Sequence, residues 1–252
     1  MKIDFEKPPI NEVSIGMHFA PVITLRAEHV GLFWNRVRED FPSAQQTVPV
    51  GGIAQIPPEV LPMPRFWFIS KDDATLIQLQ KNLFSFNWRL RAADYPRFEN
   101  VFEAFRKHRS TFIQFLKADL NTTKIEHVKY ELTYVNLFED VPYWSGFEDT
   151  QKVIPSFVPI DSGLENTKAK DFNYTTTFQL EEDLSLSLAI RNGLNNTTGR
   201  PVLALNLEAT GWHPQFEAEK ADGWYRRAHN AISQCFVGST SRQIQEEYWM
   251  PK

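Results

Sequence analysis

A single cysteine, Cys235, stands in this chain of 252 residues. One thiol excludes an intrachain disulfide and any multi-cysteine metal centre. Its expected state is that of a small, buried hydrophobe rather than a nucleophile. No stretch approaches the roughly 18 uncharged apolar residues that a membrane-crossing helix requires. The start, "MKIDFEKPPINE", has no apolar signal core, so the expected location is cytoplasmic. Phosphate-binding loops and Gly-x-Gly-x-x-Gly are missing, which removes the usual nucleotide cradles. So are the Gly-x-Ser-x-Gly elbow and His-Glu-x-x-His. The histidines, at 18, 29, 108, 127, 213 and 229, show no metal-ligand spacing. No cofactor and no metal are therefore expected. The net charge of -4 argues against a general affinity for nucleic acid or anionic membrane.

Aromatic residues, by contrast, are plentiful: 20 phenylalanines and 7 tryptophans supply enough large apolar surface for a well-filled core. The period of the hydrophobic pattern then assigns elements. In "VSIGMHF", Val13, Ile15, Met17 and Phe19 alternate as in a half-buried strand. Thr24 is a candidate N-cap for an amphipathic helix carrying Val30, Phe33, Trp34, Val37 and Phe41, which Pro42 stops. Residues 43–64 hold five prolines beyond Pro42 and the Gly51-Gly52 pair, and read as a long irregular segment. "RFWFIS-KDDA-TLIQLQ" reads as a hairpin. The phase of the apolar positions then flips, so a bulge or tight turn is expected at Lys81-Asn82. Past it, Phe84, Phe86 and Trp88 point one way and Ser85, Asn87 and Arg89 the other.

A long amphipathic helix follows from Pro96, with an apolar stripe from Phe98 to Leu120. Arg97, Lys107 and Arg109 fall off the stripe, and His108 sits at its edge. The second half contains a long strand over "KIEHVKYELTYVNLF", then three extended runs. A helix from about Glu217 to Phe236 buries Ala221, Trp224, Ala228, Ile232 and Phe236. A short terminal helix is expected to be capped by Thr240 through a Thr-x-x-Gln box. The expected class is α+β: antiparallel meander sheets with long helices packed on one face. Two similar halves are expected, residues 1–122 and 123–252, forming one compact unit. The pattern is similar to TATA-binding-protein-like or helix-grip arrangements, an analogy of fold that does not fix function.

Candidate chemistry is sparse. Asn87, Arg89, Arg91, Glu131 and His127 are the candidate ligand-binding residues, with Arg89 suited to an anionic group. Asn87 and Arg89 have a competing structural role: Asn87 would bond backbone at a strand end and Arg89 would pair with a carboxylate such as Glu12. Glu131, Arg89 and His127 are also the strand-borne candidates for acid–base catalysis. Trp88 and Arg97, with Trp224, Arg226 and Arg227, form arginine–aromatic clusters that could stack bases and pair phosphates. The acidic turns Asp72-Asp73 and Glu181-Glu182-Asp183 are expected to be solvated. His213 reads as a loop residue and His229 as a core-edge one.

Three stretches together resemble a known family. They are "PPINEV", with the helix "LFWNRVREDFP" after it; "LQKNLFSFNWR", followed by "YPRFENVFEAF"; and the end, "AHNAISQCFVGSTSRQIQEEYW". The family is a sporadically distributed, uncharacterised prokaryotic one, with a Pro-Pro-Ile-x-Glu start and a central Asn-Trp-Arg signature. It has no assigned activity, so the resemblance carries over no catalytic residue. Its patchy distribution implies an accessory role in defence or toxin neutralisation. The leading expectation is a non-catalytic binding or interaction protein with a protein partner or a homo-oligomeric state. The alternatives are an enzyme of unrecognised type and a nucleic-acid binder.

Overall fold

The computed structural model describes residues 4–50, 63–159, 163, 169 and 171–252. Most of the proline-rich segment expected to be irregular lies outside the described residues. Its start does not match that expectation: Ser43–Thr47 forms a strand.

The elements follow in the order β1 (Ile10–His18), α1 (Ala27–Val37), β2 (Ser43–Thr47), β3 (Arg65–Ile69), β4 (Thr75–Gln80), β5 (Leu83–Arg89) and α2 (Phe98–Leu120). The second half runs β6 (Glu126–Phe138), α3 (Thr150–Val153), β7 (Asn173–Glu181), β8 (Leu184–Leu194), β9 (Pro201–Gln215), α4 (Ala218–Ser239) and α5 (Arg242–Ile244), closing in a π-helical turn, Gln245–Trp249. The class is α+β, with an open nine-stranded antiparallel sheet on which the helices pack. Its strand order is β2-β3-β4-β5-β1-β6-β9-β8-β7. One path occurs twice: a lone strand, an excursion, a three-strand meander returning beside the lone strand, and a long helix. The first passage adds α1 and β2.

The chain groups into two compact units. One combines residues 1–11, 133–209 and 226–252, and the other residues 12–132 and 210–225. The division at 122/123 read from the sequence therefore does not coincide with these groupings.

In the second unit, β4 and β5 form a hairpin turning through Lys81 and Asn82, with Gln80 opposite Leu83. The phase flip in the sequence is this tight turn. Val13, Ile15 and Met17 of β1 oppose Trp88, Phe86 and Phe84 of β5, and all six are buried. α2 covers that face: the Phe84 and Phe112 rings stack at 4.7 Å, and Phe33 of α1 closes on Phe68, Phe84, Phe112 and Phe115. His108 is packed between Phe41 and Phe86.

Arg109 is buried, although helical periodicity sets it off the apolar stripe. Its guanidinium lies 5.3 Å from the Phe105 and Phe216 rings and donates to Asp222 at 2.7 Å. The stripe widens because Phe216 and the first turns of α4 cover that flank of α2, an arrangement the local pattern cannot contain. Asp222 also holds Arg106.

In the first unit, Phe5, Phe236 and Trp249 form a ring cluster. His229 meets the Tyr134 hydroxyl at 3.0 Å, as suits a core-edge residue.

Helix ends correct three expectations. Arg26, and not Thr24, occupies the N-cap of α1; its backbone N–H donates to the His29 ring, which closes the turn. Ser241, and not Thr240, caps α5, because Thr240 is turned inward to bond Phe236 O and Gln245. Pro96 likewise lies outside α2, with Arg97 at its N-cap.

Candidate functional site

Strand alternation makes the site. In β3, β4, β5 and β1, every second residue turns away from α2, and in the second unit many of these are polar. Trp67 opposes Gln78, Gln78 opposes Ser85, and Ser14 opposes Asn87. These side chains join into one network. Arg65 and the Trp67 indole both donate to Gln78 Oε1, at 2.9 and 3.1 Å. Gln78 Nε2 donates to Asn87 Oδ1 at 2.9 Å, and the Ser85 hydroxyl reaches the same oxygen at 3.3 Å. Asn87 Nδ2 donates to the Glu12 carboxylate. Ser85 and Asn87 are buried, so each hydrogen bond here meets a group that would otherwise be stranded away from water.

The Asn-Trp-Arg triplet is thus held by its own surroundings, with the partners rearranged. Trp88 is in the core, as its parity requires. Glu12 serves Asn87, and Arg89 pairs instead with Asp73, through both its carboxylate and its carbonyl oxygen. Arg91 binds the other Asp73 oxygen at 2.7 Å. Asp73, at φ 58°, turns the β3–β4 connection so that its side chain faces both arginines. The expectation of a merely solvated acidic turn gives way to a clamp. Hydrogen bonding by Arg91 leads the lowering of the Asp73 pKa, against a smaller contrary effect of burial. An anion arriving at Arg89 would compete with Asp73.

Glu131, on β6, is held by Lys129 at 2.8 Å and His18 at 3.4 Å. Burial, the largest single influence, pushes its carboxyl up, but the hydrogen bonds and charges of His18 and Lys129 together outweigh it and bring the pKa down to about 2. A carboxylate this acidic is a poor proton carrier near neutral pH. His127 is exposed, at φ 52°, and has no ion pair or hydrogen bond with Glu131 among the described residues.

The arginine–aromatic clusters fare differently from their sequence reading. Trp88 and Trp224 are 4% and 0% exposed, so neither ring offers a face to a base. Arg227 is fastened to Glu181 and Asp183, the second acidic turn. Arg97 is half-buried at the α2 cap, and Arg226 is exposed on α4. His213 lies within β9, with its ring 4.7 Å from Tyr130, rather than in a loop. Burial raises the pKa of Cys235. No group of three or more His, Cys, Asp or Glu among the described residues could hold a metal ion. No helix among them is long and apolar enough to cross a membrane.

Sequence reasoning overlooked Arg65, Trp67 and Gln78. The signal was present: Gln78 interrupts "TLIQLQ" at the parity of Ser85 and Asn87 across the hairpin.

Fold and site together define an α+β sheet protein with a hydrogen-bonded polar face. No family model, curated protein or solved structure matches the chain.

Proposed function

We propose that this is a non-catalytic binding protein that receives a partner or ligand on the polar strand face of the second unit, at Arg65 and Trp67. The observation that carries the reading is the Arg65–Trp67 pair. The guanidinium lies 5.4 Å over the half-buried indole, and Arg65 Nε has no hydrogen-bond partner among the described residues. A half-buried indole under a guanidinium suits recognition, since arginine and tryptophan concentrate binding energy when desolvated; the Arg65 Nε itself is buried and is not the group presented. The inner members, Gln78, Ser85, Asn87 and Glu12, hold that pair in position. Among the described residues the Ser85 hydroxyl donates to the Asn87 amide oxygen rather than to a base, which favours binding over acyl or phosphoryl chemistry. The family resemblance adds the proposal of an accessory subunit in a prokaryotic defence or toxin-related system.

Native mass spectrometry of protein purified gently from its own host tests this. Wild type should retain a species of defined mass and stoichiometry that Trp67→Ala and Arg65→Ala both lose while remaining folded. Equal retention by the variants, or turnover of a screened substrate, would sink the reading.

A further inference from the structure

The sheet ends in two differently built edges. β2 is five residues long and is followed closely by Pro49, with Pro42 just before it. Short length and flanking proline are devices that discourage a further strand. β7 has neither. It spans nine residues, contains no proline, and carries no charge from Asn173 to Leu180. Its one charged residue, Glu181, is bound to Arg227. Among the described residues, β7 pairs with β8 on one side and ends the sheet on the other.

β7 also carries exposed apolar side chains. Tyr174 opposes Ile190 and Phe178 opposes Leu186; the β8 residues are buried, whereas Tyr174 and Phe178 are 52% and 44% exposed. Leu180, at the bulge before Glu181, is 46% exposed. The apolar layer that is sealed over β8 therefore continues into solvent along β7. A long, uncharged edge strand with an apolar row is a template for pairing.

The order of residues names the occupant. Asn173-Tyr174-Thr175-Thr176-Thr177-Phe178-Gln179 has the same chemistry in both directions: amide, aromatic, three threonines, aromatic, amide. An isologous two-fold contact demands that symmetry, because each residue must suit its counterpart in an identical copy. We propose that β7 is a self-pairing edge, on which two copies of this chain join antiparallel about an axis at Thr176. In that register Tyr174 faces the second copy's Phe178, twice. Asn173 faces Gln179, Thr175 faces Thr177, and Thr176 faces itself. Aromatic pairs directly opposite one another stabilise antiparallel strands, and no charges are opposed from Asn173 to Gln179; past that span Glu181, whose charge is met by Arg227, comes opposite Asp171. This inference is independent of the function proposed for Arg65 and Trp67.

Sedimentation velocity on the full chain tests it, at loading concentrations from about 1 to 100 µM, the range suited to an interface this small. Wild type should shift from monomer to dimer across that range. Phe178→Lys and Tyr174→Glu should each remain monomeric, with unchanged far-ultraviolet circular dichroism. The double variant should recover the dimer, since lysine then faces glutamate at both ends. If a single variant misfolds, Thr176→Cys in a Cys235→Ser background provides the reading: mild oxidation should link two chains through position 176. A wild type monomeric at every concentration, or a dimer insensitive to both charges and giving no 176–176 link, would overturn the proposal.

Discussion

The Tyr225 hydroxyl donates a 2.7 Å hydrogen bond to the Gly16 carbonyl oxygen, joining α4 to β1 across 209 positions of sequence. Tyr225 is fully buried, and burial pushes its phenol pKa well up, so it stays a donor at all ordinary pH. Tyr225→Phe keeps the ring among Phe102, Phe105 and Tyr130 but removes the hydroxyl's bond to that carbonyl. The expected loss is about 1–3 kcal/mol in urea unfolding. Gly16→Ala attacks the same point from the other side. An added Cβ would lie 2.9 Å from the Ser85 Cβ, so a loss of about 1–3 kcal/mol from overpacking is expected there too.

Asp222 answers two guanidiniums, and that of Arg109 is nearly sealed from solvent. Asp222→Ala leaves the Arg109 charge buried and uncompensated, at an expected cost of about 3–5 kcal/mol. Adding Arg109→Met should return a large part of that loss. Chemical denaturation of the two variants checks the coupling, and simple additivity would show that the pair is not a unit.

His108 makes stability depend on pH. Burial is the main force lowering its pKa from 6.5 to about 4; the Lys107 charge adds to it and Asp40 opposes it. The unfolded chain binds this proton more readily than the native one, so stability is present above pH 6.5 and is lost as pH falls toward 4. The size of the effect is about 3 kcal/mol. His108→Leu should flatten the unfolding free energy between pH 7 and 4.5 relative to wild type. A parallel decline in both proteins would assign the dependence elsewhere.

The Asp73 clamp is half-exposed, so its charge contributes less than its geometry suggests. Asp73→Ala should cost about 1 kcal/mol or slightly more, combining a lost ion pair with a methyl group at positive φ. Asp73→Gly removes the same carboxylate but suits the backbone, and should unfold at a higher urea concentration than the alanine variant. The reverse order would mean that the side-chain contacts, and not the turn, dominate.

Much of the architecture is legible in local pattern. The parity reversal after Lys81 marked a turn, and Phe84, Phe86 and Trp88 are buried on one face of β5 as alternation required. Boundaries were less legible, because capping is a competition among neighbours: Arg26 and Ser241 displaced Thr24 and Thr240. Partners were least legible. Glu12 and Asp73 are both carboxylates near Arg89, and the β3–β4 turn decides between them.

Alternation and helical period are properties of consecutive residues. The sequence alone therefore determined most of the strands and helices and the apolar side of each, though not β2, the extent of β9 or the burial of Arg109. The tertiary structure decided how each buried polar group is satisfied. Arg109 finds Asp222 across 113 positions, and Gly16 finds Tyr225 across 209. Such pairings depend on strand order and on where a distant helix crosses the sheet, and no run of neighbouring residues encodes either.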